Sequence, residues 1–217
     1  MLALAKPVDE IPGGSLATLR RKAAACRACP LWRGATRTVF GKGPPHAAAM
    51  LIGEQPGAQE DLAGEPFVGP AGQLLDRAIV EAGLDRKTLY LTNTVKHFKY
   101  EARGHAKLHK RANALEQAAC RQWLAAELLR VQPRLVIGLG AMAAQTLFGS
   151  TFRITSQRGQ WRDMSEGVRG VATWHPSAVL RMPRKDRRDA AYAELVTDLR
   201  EVAVALAGLV RATEPRS

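Results

Sequence analysis

The chain has 217 residues, enough to bury one substantial hydrophobic core and short for two. Its 32 Lys plus Arg against 20 Asp plus Glu give a formal net charge of +12, which favours a polyanionic partner, nucleic acid first, over a small neutral one. No apolar run approaches a membrane span, and Met1 to Lys6 is too short an apolar stretch, with no preceding basic region, for a secretory signal; the expectation is a cytoplasmic monomer without a membrane partner.

Ser15 to Ala25 is a helix candidate that delivers Cys26 and Cys29, and a Gly/Pro-rich segment follows to Pro45, so residues 1–45 read as a helix and a strap. Ala47 to Ile52 has the length and composition of a buried strand, cut sharply by Gly53, Pro56 and Gly57. Glu54 and Gln55 therefore stand at a strand's carboxyl end, where open α/β sheets bind ligands. Pro66-Phe67-Val68-Gly69-Pro70 holds an aromatic ring between stiff residues. Helical spacing then resumes from Gly72 to Gly83 through Leu74, Leu75, Ala78 and Ile79. A ring beside an acid and an amide suits a flat polar ligand; a plain strand-to-helix turn with Phe67 in the core would use the same residue types.

Further strands are predicted at Leu89 to Val95, Leu135 to Gly138 and Gly170 to Trp174. A helix runs from about Asn113 through Leu129, with Pro133 beyond its end. The last helix spans roughly Asp186 to Leu209, with apolar residues near helical spacing and residues 210–217 as a frayed tail. This alternation predicts one three-layer α/β/α domain over residues 1–217, with a central, mostly parallel, four-stranded sheet. Gly138-Leu139-Gly140 imitates a dinucleotide fingerprint but lacks a well-placed acidic partner about 20 residues on, and a tight turn accounts for both glycines. Between Lys99 and Asn113 lies a basic loop longer than a strand-to-helix connection requires. Basic residues also cluster at Arg20-Arg21-Lys22 and from Arg181 to Arg188, where they can line phosphates or simply solubilise the surface.

Cys26-Arg27-Ala28-Cys29 puts two thiolates within reach of one metal or cluster, and Cys120 lies far along the chain. Cytosolic cysteines serve metals more often than disulfides. A buried Cys120 with a Cys26–Cys29 redox pair is the competing explanation.

Several of these segments, taken together and in order, resemble motifs of the uracil-DNA glycosylase superfamily, specifically its iron-sulfur branches and most nearly the UdgX type. They are Gly53-Glu54-Gln55-Pro56-Gly57, Glu65-Pro66-Phe67-Val68-Gly69-Pro70-Ala71-Gly72 and His175-Pro176-Ser177. The likeness runs from about Cys26 to near Leu199 and implies action on uracil-containing DNA, single-stranded or with the base flipped out. It implies Phe67 as stacking platform, Asn93 as reader of the uracil edge, Gly53 and Gln55 at the base, and His175 as donor to uracil O2. Leu180 then wedges into the base stack and Arg181 reaches phosphate. The resemblance also makes His97, in Lys96-His97-Phe98-Lys99, the fourth ligand with Cys26, Cys29 and Cys120 of a [4Fe-4S] cluster. Three Cys plus one His also suit a structural zinc.

UdgX-type sequences carry a basic insertion whose histidine attacks the sugar and joins the protein covalently to DNA. Counted from Gly104, that residue is His109, with Glu54 as its partner and Lys107 and Lys110 toward the DNA. This chain departs from the common loop: His105-Ala106 and Lys107-Leu108 precede His109, leaving fewer arginines for phosphate. His105 is a rival nucleophile in the wrong register. Water attack with turnover, and a noncatalytic iron-sulfur nucleic-acid binder, are the alternatives.

Overall fold

A computed structural model describes residues 4–104, 106–165 and 167–213. Helix α1 (Leu16–Ala24) opens on Ser15, whose hydroxyl accepts from the Thr18 N–H at 3.2 Å, one of the donors a helix start leaves unpaired. Then follow β1 (Ala49–Gly53), the short α2 (Ala58–Ala63), α3 (Pro70–Glu81) and β2 (Leu89–Asn93). Strands β3 (Tyr100–Arg103) and β4 (Ala106–His109) precede α4 (Ala114–Val131), β5 (Leu135–Leu139) and α5 (Gly140–Phe148). The chain continues through α6 (Ile154–Gln157), β6 (Arg162–Ser165), β7 (Val168–Thr173), α7 (Pro176–Leu180) and α8 (Lys185–Thr213). Asn113 caps α4 reciprocally with Glu116, its side chain taking the Glu116 N–H while the Glu116 carboxylate takes the Asn113 N–H. The last helix runs four residues past Leu209, into the segment expected to be a frayed tail.

The sheet order is β2-β1-β5-β7-β6, with the first four strands parallel and β6 antiparallel to β7. Alternate residues of each central strand face opposite helix layers, as a period of two demands. Leu51, Leu91 and Ile137 pack with Leu75 and Ile79 of α3 and Leu195 and Leu199 of α8. Met50, Ile52, Tyr90 and Val136 pack on the other side with Leu124 and Leu128 of α4 and Leu147 of α5. The three-layer α/β architecture with a mostly parallel sheet is therefore the observed one.

Two expectations are corrected. The sheet has five strands, because β6, Arg162-Asp163-Met164-Ser165, adds at the edge; half exposed and polar, it carries no apolar alternation to announce it. The segment expected as a basic loop is an antiparallel hairpin, with Tyr100 opposite His109 and Arg103 opposite Ala106. Gly104, at φ +58, begins its turn; the rival His105 lies outside the described residues.

Leu75 is wholly buried between α3 and the sheet. Leu75→Ala is expected to cost about 2–5 kcal/mol of stability, read in urea unfolding as a lower midpoint with an unchanged slope.

Candidate functional site

Parallel register places Gly53 beside Asn93 at the carboxyl ends of β1 and β2. A Cβ on Gly53 would lie 2.4 Å from Asn93 Oδ1 and 2.6 Å from Phe67 Cζ, so only glycine lets the amide and the ring meet there. Phe67 has φ +56, a left-handed backbone that is strained for a bulky residue and persists only when its surroundings impose it. Glu60, which the sequence reading missed, supplies that restraint. Its Oε1 accepts from the N–H groups of Val68 (3.0 Å) and Gly69 (2.7 Å), and Oε2 accepts from Gly57 (3.1 Å). Arg86, paired with Asp76, donates to the Phe67 carbonyl at 3.1 Å. Three residues after Gly57 at a helix start is where a capping carboxylate belongs, so Glu60 had a sequence signal.

His175 caps α7, and its Nδ1 accepts the Ser177 backbone N–H at 3.1 Å. A nitrogen that accepts carries no proton, so the neutral ring presents Nε2–H as its donor. Burial above all, then the positive fields of Arg181 and His109, push the His175 pKa down to about 4, keeping the ring neutral near pH 7. Gly140, half of the discounted dinucleotide motif, belongs to this arrangement: its φ is +83, and a Cβ there would sit 2.7 Å from that of His175.

The hairpin delivers His109 to the same place. Gln55, Phe67, Asn93, His109, His175 and Arg181 line one cavity of about 120 Å³, roughly four times the ~30 Å³ of a water and on the scale of a single heterocycle. His109 stays partly open to water, yet its pKa is lowered by desolvation; Glu54 opposes this and Arg181 adds to it. Gln55, expected at the base, lines the cavity but also braces the hairpin. Its Nε2 donates to the carbonyls of Lys99 (3.3 Å) and Lys110 (3.0 Å), and its Oε1 accepts from the Ala112 N–H (3.1 Å). Both amide hydrogens are thus committed to the two feet of the hairpin. Lys107 lies over the Tyr100 ring and Lys110 pairs with Glu101 at 2.6 Å, both exposed. Leu180 and Arg181 stand exposed at the end of α7, beside the cavity mouth.

Cys26, Cys29 and Cys120 gather around one apolar cluster with Trp123 and Val95, two residues past β2. Burial pushes the Cys120 thiol up to about 12, with the neighbouring thiols adding to the rise, although the Lys96 N–H donates to its Sγ at 3.2 Å. Trp123 Nε1–H is buried without a partner among the described residues. Among those residues no three His, Cys, Asp or Glu side chains converge on a metal position. Buried His97 binds Thr38 Oγ1 through Nε2 at 2.8 Å. Three thiols, a backbone donor on one of them and an orphaned indole N–H nearby make up a donor set whose chemistry fits an iron-sulfur cluster.

The sequence profile described as the uracil DNA glycosylase superfamily matches residues 40–200. The chain belongs to that superfamily. The type-4 uracil-DNA glycosylase of Thermotoga maritima is 36% identical over 157 residues, covering 72% of this chain and 78% of that protein. Its counterpart from Sulfurisphaera tokodaii is 33% identical over 177 residues, covering 78% and 77%. That from Pyrobaculum aerophilum is 35% identical over 165 residues, covering 73% and 81%. The superfamily match takes in Gly53, Glu54, Phe67, Asn93, His109 and His175, and begins beyond Cys26 and Cys29.

A pH dependence follows from His175. Its folded pKa, about 4, is depressed from the ordinary value near 6.5. The stability tied to its neutrality is thus fully present above about pH 6.5 and lost as pH falls toward 4. Unfolding free energy is expected to drop by roughly 2–3 kcal/mol over that window on this account. His175→Gln should remove that part of the slope in urea titrations stepped across pH.

Proposed function

We propose that the chain recognises uracil in DNA, breaks the N-glycosidic bond and is captured on the resulting sugar through His109, in the manner of the UdgX type. The observation that carries this reading is the convergence of His109 with Phe67, Asn93 and His175 on one small cavity. A flipped uracil stacks on Phe67, and the Asn93 amide, with one donor side and one acceptor side, reads its edge and rejects cytosine. His175 Nε2–H donates to O2 as negative charge grows there. The C–N bond breaks with its electron pair leaving on uracil, and the sugar becomes oxocarbenium-like. A neutral His109 nitrogen then gives its lone pair to the electron-poor sugar carbon, forming a new C–N bond, and Glu54 stabilises the imidazolium that results. Gln55 supports the step indirectly by holding the hairpin feet. Arg181, Lys107 and Lys110 serve the phosphates and Leu180 the vacated stack.

The second reading is a turnover glycosylase in which water attacks the sugar, with Glu54 facing that water; the likeness to type-4 uracil-DNA glycosylases fits it as well. Denaturing gels and intact-protein mass spectrometry with a uracil oligonucleotide separate the two. The expected result is a one-to-one adduct that survives denaturation, maps to His109 and is lost in His109→Ala. Abasic product exceeding the enzyme concentration, with no adduct, would establish turnover instead.

Cys26, Cys29, Cys120 and His97 are proposed to hold a [4Fe-4S] cluster. When bound it supplies a cross-link that ties the N-terminal helix and strap to α4 and to the segment after β2, rather than redox chemistry. Anaerobic purification should give a coloured protein with about four irons and four sulfides per chain, as that cluster type requires. A colourless protein with stoichiometric zinc would replace the cluster by a structural metal.

A further inference from the structure

Lys96 is a buried cation that the chemistry above does not use. Its side chain is enclosed to within 1% exposure, and Nζ donates to Glu127 Oε2 (2.5 Å), Thr92 Oγ1 (2.7 Å) and the Asn93 carbonyl (2.7 Å). An ammonium has three N–H bonds, and here all three are committed. Glu127, on α4 and equally buried, also accepts from the Tyr90 hydroxyl (3.1 Å), the Thr92 hydroxyl (2.9 Å) and the Gly41 N–H (2.8 Å). Well-packed apolar residues often match such a pair in stability, so stability alone is a poor reason to bury two charges. What apolar residues cannot do is grip a backbone carbonyl at a chosen point. The carbonyl gripped here belongs to Asn93, the last residue of an edge strand, whose amide oxygen faces Gly53.

We infer that Lys96, braced by Glu127, is a positioning residue for Asn93, holding its backbone so that the amide faces the base. Asn93 is thereby fixed from two directions, through its carbonyl by the ammonium and through its side chain by the floor of the cavity. The same lysine donates its backbone N–H to Cys120, so the base-reading residue and one wall of the thiol cluster share a single rigid turn. This inference rests on the reading of Asn93 as the group that recognises uracil.

A double-mutant cycle tests it. The combined variant Lys96→Met with Glu127→Leu removes both charges and leaves no unpaired ion in the core. It is made in the wild-type background and in Asn93→Ala, with folding followed by circular dichroism and thermal melting. If Lys96 acts through Asn93, the charge-free variant lowers single-turnover kcat/KM for uracil release at least tenfold in the wild-type background and less than twofold in Asn93→Ala. Equal losses in both backgrounds, or no loss in either, would overturn the inference. Should the double variant not fold, Glu127→Gln keeps the shape while removing the charge that braces Lys96, and the same cycle is read on it. A wild-type protein that releases no uracil would instead bring down the reading of Asn93 and the inference with it, whereas additive losses in an active protein bring down the role of Lys96 alone.

Discussion

The site depends on one constraint: β1 and β2 run parallel and in register, so that Gly53 and Asn93 end side by side, and Gly53 has no side chain. A Cβ there would enter the volume that the Asn93 amide and the Phe67 ring occupy. Everything else in the cavity is arranged around that junction. Strand β7, two places along the sheet, runs in the same direction and brings His175 to the same edge. Parallel strands must all open their carboxyl ends on one side, and loops gather there without interrupting a ladder.

Loops rich in Gly and Pro make a rigid site only when their backbone groups are bound, and three buried polar side chains do this. Glu60 takes three N–H groups and holds the strained Phe67 turn. Gln55 takes two carbonyls and one N–H and holds the feet of the hairpin. Glu127, with Lys96, ties the strap at Gly41 to the end of β2. Each is satisfied several times over, the condition under which a buried polar group rigidifies its surroundings rather than weakening them.

Electrostatics link the basic surface to the chemistry inside. Arg181 lies where a phosphate contact is wanted, and its field also lowers the pKa of both His175 and His109. A positive residue at the cavity mouth therefore favours a polyanion and, second to burial, helps lower the pKa of the two imidazoles proposed as donor and nucleophile. Glu54 opposes it at His109 alone. That difference suits the one ring of the pair proposed to become positively charged during the reaction.

Local chemistry made much of this legible in the sequence. Ala47 to Ile52, bounded by Gly53 and Pro56, announced the first strand; Asn113 with Glu116 announced the start of α4; and the ordered motifs around Glu54, Phe67 and His175 named most of the cavity. Strand β6 stayed hidden because its four residues are polar and sit at an edge. The hairpin stayed hidden because its strands are short, exposed and basic, so its pairing carries no apolar pattern. Gln55 was assigned to the ligand because residue type and position along the chain agreed with that role; only the return of Lys99, Lys110 and Ala112 past β1 decided what its amide binds. Gly140 similarly made sense as a turn until β7 brought His175 against it. Neighbours along the chain were enough to mark the four parallel strands, the main helices and the candidate residues at the strand ends, since local spacing and turn chemistry carry those signals. Tertiary structure alone decided which groups are still free to act, because a hydrogen-bonding group's availability depends on partners tens of residues away.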